Sequence, residues 1–291
     1  MNIVWSSYVQ GAKTLYYSRK LRFDDMFMEQ YRTLFALDEK KNLKILEIGC
    51  GPGALAGVLC RWYPNAKVTA LDRDSEFIRF AKEHEDGIIF VEGDATALPF
   101  ADQSFDVVIS NTVSEHIEPS RFYGEQFRVL KTGGICLVLS SRRGIHIGAD
   151  CVTLSEKERV FWDKAKKYDD SMEKISICKY PMSEAELPAA MEQYGFQKVS
   201  TGYVAVNLTP DDPKYPKSLA YKMIEAERYS ELDALDSVLC SMPEHFLVEE
   251  IEEMKHFVNA RYDARLALYD RGEKQWDTNV SVIMTVRGVK I

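Results

Sequence analysis

The stretch "ILEIGCGPGALA" (residues 45–56) has the pattern of a strand, a glycine-rich loop and the start of a helix. An apolar run with Glu47 near its end is followed by three glycines at every second position, Gly49, Gly51 and Gly53. Glycines in a loop between a strand and a helix let the chain turn sharply and let a ligand approach the backbone. Because alternating glycines are conformationally costly, we interpret this stretch as a ligand-binding loop rather than a plain turn.

Strand-like and helix-like segments alternate on both sides of this loop. The predicted strands are residues 43–48, 66–72, 87–94, 105–111, 133–141, 196–208 and 279–288. The helices predicted between the first five are residues 54–63, 75–84 and 119–131. The strands are rich in Ile, Val and Leu on both faces, which indicates a parallel sheet covered by helices on each side.

Two regions depart from this alternation. Residues 6–37 show helix-like spacing of apolar residues, and two long helical patterns lie near 214–240 and 244–271. The sequence therefore predicts three parts. They are an N-terminal helical cap (1–37), an α/β domain (38–208 with 279–291) and a helical insertion (209–278) between the last two strands.

The composition is that of an ordinary globular protein. Hydrophobic residues make up 46% of the 291 residues and charged residues 28%, and the net charge is −8. This charge disfavours nucleic acid and anionic lipid as partners. The six cysteines form no CxxC pair and no metal-ligand spacing, so we expect a reduced, cytoplasmic protein without a metal. We read no leader peptide and no membrane span.

The glycine loop alone leaves more than one ligand open. Gly49, Gly51 and Ala54 satisfy the GxGxxG/A pattern of dinucleotide-binding proteins. A phosphate-binding P-loop is excluded, because no GK[ST] follows the glycines.

Acidic residues around the loop distinguish between the ligands that are still possible. Asp72 ends the second predicted strand, where an acid binds ribose hydroxyls, and Asp94 follows the third strand at the same edge of the sheet. Glu47 would repel a pyrophosphate and would suit a ligand with a positive charge and an ammonium group.

An ordered set of motifs then points to a family. "LEIGCGPG", "ALDRD", "GDATALPF", "FDVVISNTVSEHI" and "RVLKTGGICLVLS" follow one another between residues 46 and 140. In this the sequence resembles the class I S-adenosylmethionine-dependent methyltransferases. The resemblance implies a Rossmann-like three-layer α/β sandwich, with a seven-stranded, mostly parallel sheet, an antiparallel last strand and helical lid insertions. It also implies an enzyme that transfers a methyl group to a small-molecule acceptor by in-line displacement.

The resemblance assigns residues to the methionine end of the cofactor, S-adenosyl-L-methionine. The backbone at Gly49 and Gly51 would face the methionine part, while Glu47 would organise the loop. Asn111, at the end of the fourth predicted strand, would lie near the methionine amino group. The loop residues assigned to the cofactor are Gly49, Cys50, Gly51 and Gly53.

Other residues are assigned to the nucleoside end of the cofactor. Asp72 would accept hydrogen bonds from the two ribose hydroxyls. Asp94 would accept from the adenine amino group, and Ala95 would offer a backbone contact to the ring. Arg73 would pack on the adenine edge, although a solvated side chain is the competing interpretation.

Catalytic groups are less well defined by the sequence. His116 is the nearest candidate for a general base, with Glu115 as a competitor and a packing histidine as the alternative. Arg142 and Arg143 follow the fifth predicted strand and would clamp an anionic acceptor, or else be solvated.

Two other functions stay open at this stage. One is a catalytically silent S-adenosylmethionine-binding partner subunit, and the other is a nicotinamide-dependent dehydrogenase, which Glu47 and the third motif disfavour. The aromatic-rich insertion 209–278 is expected to act as a lid over the acceptor. The identity of the acceptor and the oligomeric state do not follow from the sequence.

Overall fold

The computed structural model describes residues 5–8, 10–142, 144–168 and 178–291. They divide into two compact units, which we describe separately. The sheet unit comprises Arg22–Arg143, Ser176–Val206 and Ser281–Ile291. The helical unit comprises Met1–Leu21, Gly144–Ile175 and Asn207–Val280.

The strands follow the apolar runs of the sequence. They are β1 Lys44–Ile48, β2 Lys67–Asp72, β3 Ile89–Glu92, β4 Phe105–Asn111, β5 Leu130–Arg142, β6 His146–Ile147, β7 Gln197–Leu208 and β8 Thr278–Val289. Their order is β3-β2-β1-β4-β5-β8-β6, and β7 also pairs with β8. The sheet formed by the described residues thus has eight strands, because the two-residue strand β6 adds to the seven that were predicted. Every neighbouring pair among the strands β1 to β5 is parallel, whereas β8 is antiparallel to β5. The predicted mostly parallel sheet with an antiparallel last strand is confirmed.

The helices also follow the predicted pattern, with small shifts of their ends. They are α1 Trp5–Tyr8, α2 Ala12–Arg22, α3 Met28–Phe35, α4 Ala54–Trp62, α5 Ser75–His84, α6 Pro119–Val129, α7 Glu156–Tyr168, α8 Glu186–Gln193, α9 Lys217–Ser241 and α10 Val248–Asp270. Asp74 caps α5 by accepting hydrogen bonds from two backbone N–H groups, and Glu118 does the same for α6. Asp74 lies two residues after the end of β2, and Glu118 lies seven residues after the end of β4.

Residues 12–35, within the region predicted to be helical, form helices with a break between α2 and α3. Asp24 caps a short 3₁₀ turn by accepting a hydrogen bond from Met26 N. Within the sheet unit, the Tyr31 ring lies 5.7 Å from the Trp62 ring, and Trp62 Nε1 donates to Asp25 at 2.7 Å. These tertiary contacts hold the break in place, and helical spacing of apolar residues does not reveal them.

The bounds of the two units differ from those of the predicted domains. Residues 22–37, expected in the N-terminal cap, belong to the sheet unit, and residues 144–168, expected in the α/β domain, belong to the helical unit. Residues 1–4 and 9 of the predicted cap lie outside the described residues.

Each unit has its own buried core. In the sheet unit, Leu46, Val108 and Val138 from three neighbouring strands pack with Phe122 of α6 and Met191 of α8. The core of the helical unit is formed by α7, α9 and α10 and includes buried residues such as Phe161, Leu235, Ile251, Met254 and Val258. Burial of each such side chain stabilises the folded state by about 1.5–3 kcal/mol.

A buried ion pair lies in the helical unit. The Arg265 side chain of α10 is fully buried and its Nη2 donates to Asp211 at 2.9 Å. The Asp211 carboxylate also accepts from the backbone N–H groups of Gln275 and Trp276. These bonds join residues more than fifty positions apart. They therefore connect the end of the insertion to its beginning. No helix among the described residues has the length and apolar character needed to cross a bilayer.

Candidate active site

The glycine loop after β1 is held against the end of β2 by backbone hydrogen bonds. Gly49 N and Cys50 N both donate to Leu71 O, at 2.8 and 3.0 Å. Three glycines of the loop, Gly49, Gly51 and Gly53, have positive φ angles of 66°, 53° and 87°. Residues other than glycine rarely adopt this region, so the loop conformation itself requires the glycines.

The loop after β4 packs directly on Gly49. A Cβ atom added to Gly49 would lie 2.4 Å from Val113 Cγ2, a distance that no real contact allows. Thr112, next to Val113, has a positive φ of 54°, which is strained for a β-branched residue. This contact could not be predicted from the sequence, since Gly49 and Val113 are far apart along the chain. The backbone of Gly49 is therefore enclosed on one side by Val113.

The Asp72 carboxylate connects the ends of β1 and β2. Its Oδ2 accepts from Gly51 N at 2.8 Å, and its Oδ1 accepts from Asp74 N at 2.9 Å. Burial raises the pKa of Asp72 above its usual value, and the two hydrogen bonds partly offset this rise. The carboxylate is thus fixed in orientation, and each oxygen retains capacity to accept a further hydrogen bond.

Asp94 and Ala95 follow β3 at the same edge of the sheet. Gly93 N donates to Asp72 O at 2.9 Å, which joins this segment to β2. Asp94 is exposed, and its Oδ1 accepts from Thr96 N at 2.8 Å, while Ala95 is partly buried against the core. The Arg73 side chain is exposed.

Two polar side chains are buried beside the loop. Glu47 is 2% exposed and Asn111 is 8% exposed. In the described part of the chain, Asn111 Oδ1 is buried without a hydrogen-bond partner. The charges of Glu47 and Asp72 lie close enough to add to the effect of burial, which raises the pKa of the Cys50 thiol well above its usual value. Cys50 is therefore a neutral thiol within an acidic surrounding.

His116 contacts a segment that enters the sheet unit from a distant part of the sequence. The backbone N–H of Cys178 donates to His116 Nδ1 at 3.0 Å, and Tyr180 N donates to Glu115 O at 2.9 Å. An Nδ1 atom that accepts a hydrogen bond leaves the proton of the neutral ring on Nε2. In this arrangement His116 Nε2 is a donor, so action as a base there would require loss of the bond to Cys178.

Arg142, a predicted clamp for an anionic acceptor, is engaged within the protein. Its Nη1 donates to Met182 O at 2.9 Å, and its Nε lies 3.4 Å from a carboxylate oxygen of Glu184. The guanidinium thus holds the start of the segment that leads into α8. The other predicted clamp residue, Arg143, lies outside the described residues.

The structure brings most of the predicted cofactor residues together at the carboxyl edge of the parallel strands. The loop, Asp72 and the segment after β3 are joined by the hydrogen bonds described above, and Asn111 ends β4 two residues before Val113. Arg73 follows Asp72 in sequence, and its positive charge acts to lower the pKa of the Asp72 carboxyl. In the described residues, no group of three or more His, Cys, Asp or Glu side chains has a metal-binding arrangement.

Comparison with known proteins identifies this segment. The family described as "Methyltransferase domain" matches residues 46–138, which contain the loop, Asp72, Asp94 and Asn111. The resemblance to methyltransferases that the sequence motifs indicate is confirmed over these residues.

Curated relatives match over a similar length of sequence. The chain is 37% identical over 119 residues to a fatty-acid O-methyltransferase of Mycolicibacterium smegmatis, covering 40% of this chain and 43% of that protein. It is 42% identical over 95 residues to a phthiotriol/phenolphthiotriol dimycocerosates methyltransferase of Mycobacterium tuberculosis, covering 31% and 35%. The chain therefore spans less than half the length of these relatives.

A solved structure supports the fold. Phosphoethanolamine N-methyltransferase 2 of Haemonchus contortus, in complex with S-adenosyl-L-methionine, superposes with a TM-score of 0.52 at 18% identity. The match covers 98% of this chain and 59% of that one. At this identity the likeness shows the fold, a Rossmann-like α/β sandwich.

Gly49→Ala is expected to destabilise the protein by about 2 kcal/mol or more, through the left-handed backbone and the overlap with Val113. In the double variant Gly49→Ala/Val113→Ala, the overlap disappears and a penalty of about 1–2 kcal/mol from the backbone stays. Urea unfolding of both variants and of Val113→Ala measures these terms. Equal stability of Gly49→Ala and the wild type would contradict the loop geometry.

Proposed function

We propose that this protein transfers the methyl group of S-adenosyl-L-methionine to a small-molecule acceptor. The observation that carries the proposal is the arrangement at the carboxyl edge of the sheet. There the positive-φ loop at residues 49–53, the oriented Asp72 carboxylate and the buried Asn111 Oδ1 occur together. The methyltransferase match over residues 46–138 supports the same conclusion.

The polar groups of this edge fit S-adenosylmethionine. A buried acceptor without a partner, Asn111 Oδ1, suits the ammonium group of the methionine part. The Asp72 carboxylate suits two neighbouring ribose hydroxyls, because each of its oxygens accepts a further hydrogen bond. A nicotinamide dinucleotide would place a pyrophosphate over the same loop, near the buried Glu47, and is disfavoured by charge.

The cofactor, when bound, supplies an electrophilic methyl group on a sulfonium, and the protein supplies position. The backbone of the glycine loop would hold the methionine part, Asp72 the ribose and Asp94 the adenine amino group. Asp94 Oδ1 is already fixed by Thr96 N, so the side chain has a defined direction. Such fixed groups lower the entropy cost of aligning an acceptor with the methyl group.

The hydrogen bond from Cys178 N to His116 determines which ring nitrogen of His116 carries the proton. With Nδ1 accepting, the neutral His116 ring carries its proton at Nε2. A base role at Nε2 requires the ring proton to move to Nδ1 and the Cys178 bond to open. Removal of a proton from the acceptor is therefore coupled to the position of the segment at residues 178–182.

The acceptor is proposed to be a small molecule, with no membrane or nucleic acid as partner. The relatives named above act on fatty acids and on phthiotriol or phenolphthiotriol dimycocerosates, as their names state. These names support an apolar acceptor. The same proposal includes a lid function for the helical insertion 209–278. It also includes a cytoplasmic location, which the six free cysteines support.

A second candidate is a partner subunit that binds S-adenosylmethionine without turnover. The engagement of His116 and Arg142 by backbone groups of residues 178 and 182 favours it, because neither side chain then stands ready for acceptor chemistry. It predicts the same cofactor site and no methylated product.

The two candidates are separated by incubating the protein with S-adenosylmethionine labelled in its methyl group and a small-metabolite extract. The proposed function predicts label in a small molecule, with release of S-adenosylhomocysteine. Binding of S-adenosylhomocysteine without any labelled product from lipid and polar extracts would favour the silent subunit. The variant Asp72→Asn serves as the control for label that arises without the site.

S-adenosylhomocysteine affinity is expected to fall as the pH is lowered through the raised pKa of Asp72, because ribose hydroxyls bind its ionised form. The fall should begin above the usual aspartate range near pH 4. Asp72→Asn should bind about 10–100-fold more weakly, without this pH step. Calorimetric titrations at several pH values test this, with exposed Asp86→Asn as control.

The stability of the ligand-free protein should change in the opposite direction. Folding disfavours the charged Asp72, since its pKa is higher in the folded state. Lowering the pH through this pKa should therefore add to stability through this group, and Asp72→Asn should lack that contribution. An affinity that stays constant down to pH 4 in the wild type would contradict the assignment.

His116→Ala is expected to lower kcat by about 100-fold and to change the Kd of S-adenosylhomocysteine little. The reason is that its Nδ1 contacts Cys178 rather than a residue assigned to the cofactor. His84→Ala, an exposed position on α5, is the matched control. Unchanged turnover of His116→Ala would remove this residue from the chemistry.

A further inference from the structure

Arg128, in the last turn of α6, makes a set of hydrogen bonds that no cofactor assignment explains. Its Nε and Nη2 donate to the two carboxylate oxygens of Glu125, each at 2.8 Å. Its Nη1 donates to Phe100 O and to Asp102 Oδ1, both at 2.8 Å, and its Nη2 also donates to Leu98 O at 3.0 Å. One guanidinium thus holds two main-chain carbonyl groups and two carboxylates.

Glu125 holds the same stretch of chain from the acceptor side. Its Oε2 accepts from Leu98 N at 2.7 Å, so Leu98 is bound at both its N–H and its carbonyl group. The hydrogen bond from Arg128 lowers the pKa of Glu125, and the carboxylate therefore stays charged. The Leu98 side chain is buried in the core of the sheet unit.

The stretch held in this way is the loop at residues 94–102, which begins with Asp94 and Ala95. Its exit is bound to the same end of α6, since Gln103 N donates to Arg128 O and Ser104 N donates to Val129 O. Its entry is bound to β2, since Gly93 N donates to Asp72 O. Between these points, Leu98 and Phe100 are held by Arg128.

We infer that Arg128 is a positioning residue, which with Glu125 fixes the loop at residues 94–102 so that Asp94 and Ala95 face the adenine ring of the cofactor. This inference rests on the proposed function, because it concerns the same cofactor site. Asp94 and Ala95 are the residues assigned to adenine, and neither touches Arg128 in the hydrogen bonds above. Arg128 therefore acts through the backbone of the loop.

The bonding pattern distinguishes positioning from a simple surface ion pair. An exposed pair of charges contributes little, because its side chains stay mobile and solvent screens the charges. Here the guanidinium is planar and its donors reach two carbonyl oxygens and a bidentate carboxylate at once, which defines one geometry. A lysine at this position offers a single ammonium group and cannot make all these bonds.

The test compares two ligands that differ in one part of the cofactor. S-adenosylhomocysteine contains adenine, and S-ribosylhomocysteine lacks it but keeps the ribose and the amino acid. Calorimetric titration of both ligands into the full chain is done for the wild type, Arg128→Ala, Arg128→Lys and Glu125→Gln. Arg121→Ala, an exposed arginine of the same helix, is the matched control.

If the loop of Arg128→Ala is ordered in about a tenth of the molecules, S-adenosylhomocysteine binds about tenfold more weakly. S-ribosylhomocysteine should bind as it does to the wild type, Arg128→Lys should lie between, and Arg121→Ala should match the wild type. The effects of Arg128→Ala and Asp94→Ala should be less than additive, since both act on the adenine contact. Should Arg128→Ala fail to fold, Arg128→Lys and Glu125→Gln carry the comparison.

Equal weakening of both ligands, or no weakening in a folded Arg128 variant, would overturn the positioning role. Additive effects of Arg128→Ala and Asp94→Ala would also overturn it. Failure of the cofactor assignment gives a different result, because the wild type itself would then not bind S-adenosylhomocysteine. A silent cofactor-binding subunit would bind it and form no methylated product.

Discussion

The hydrogen bond from Gly51 N to Asp72 Oδ2 is the constraint on which the candidate site depends. It joins the glycine loop after β1 to the end of β2, and Asp74 N fixes the other oxygen of the same carboxylate. The bond needs Gly51 in a left-handed conformation, which explains a glycine at this position. Since the carboxylate is partly withdrawn from water, its charge is costly until ligand hydroxyl groups replace the lost hydration.

The remaining parts of the site are arranged around this bond by contacts between distant segments. Val113 encloses the backbone of Gly49, and Arg128 with Glu125 holds the loop that carries Asp94. Both contacts restrict backbone segments that are assigned to the cofactor, and restriction before binding lowers the entropy cost of binding.

The fold could be predicted from the sequence because its signals are local, and equally local signals underlie the proposed cofactor residues. Apolar runs give the strands, and the loop glycines with Asp72 and Asp94 follow strands directly. The break at Asp24 was missed because it is fixed by tertiary contacts, and Val113 because its contact joins remote segments. The prediction of Arg142 as a clamp did not include its partner Met182 O, for the same reason. The spacing of Glu125 and Arg128, three residues apart on a helix, was a usable signal of their contact.

The glycine loop is proposed to bind the amino-acid end of S-adenosylmethionine and not a pyrophosphate. Calorimetric titration of the wild-type protein with S-adenosylhomocysteine and, separately, with NAD distinguishes these two ligands. We expect saturable binding of S-adenosylhomocysteine and no heat of binding with NAD. Saturable binding of NAD, with none for S-adenosylhomocysteine, would show that this assignment is wrong.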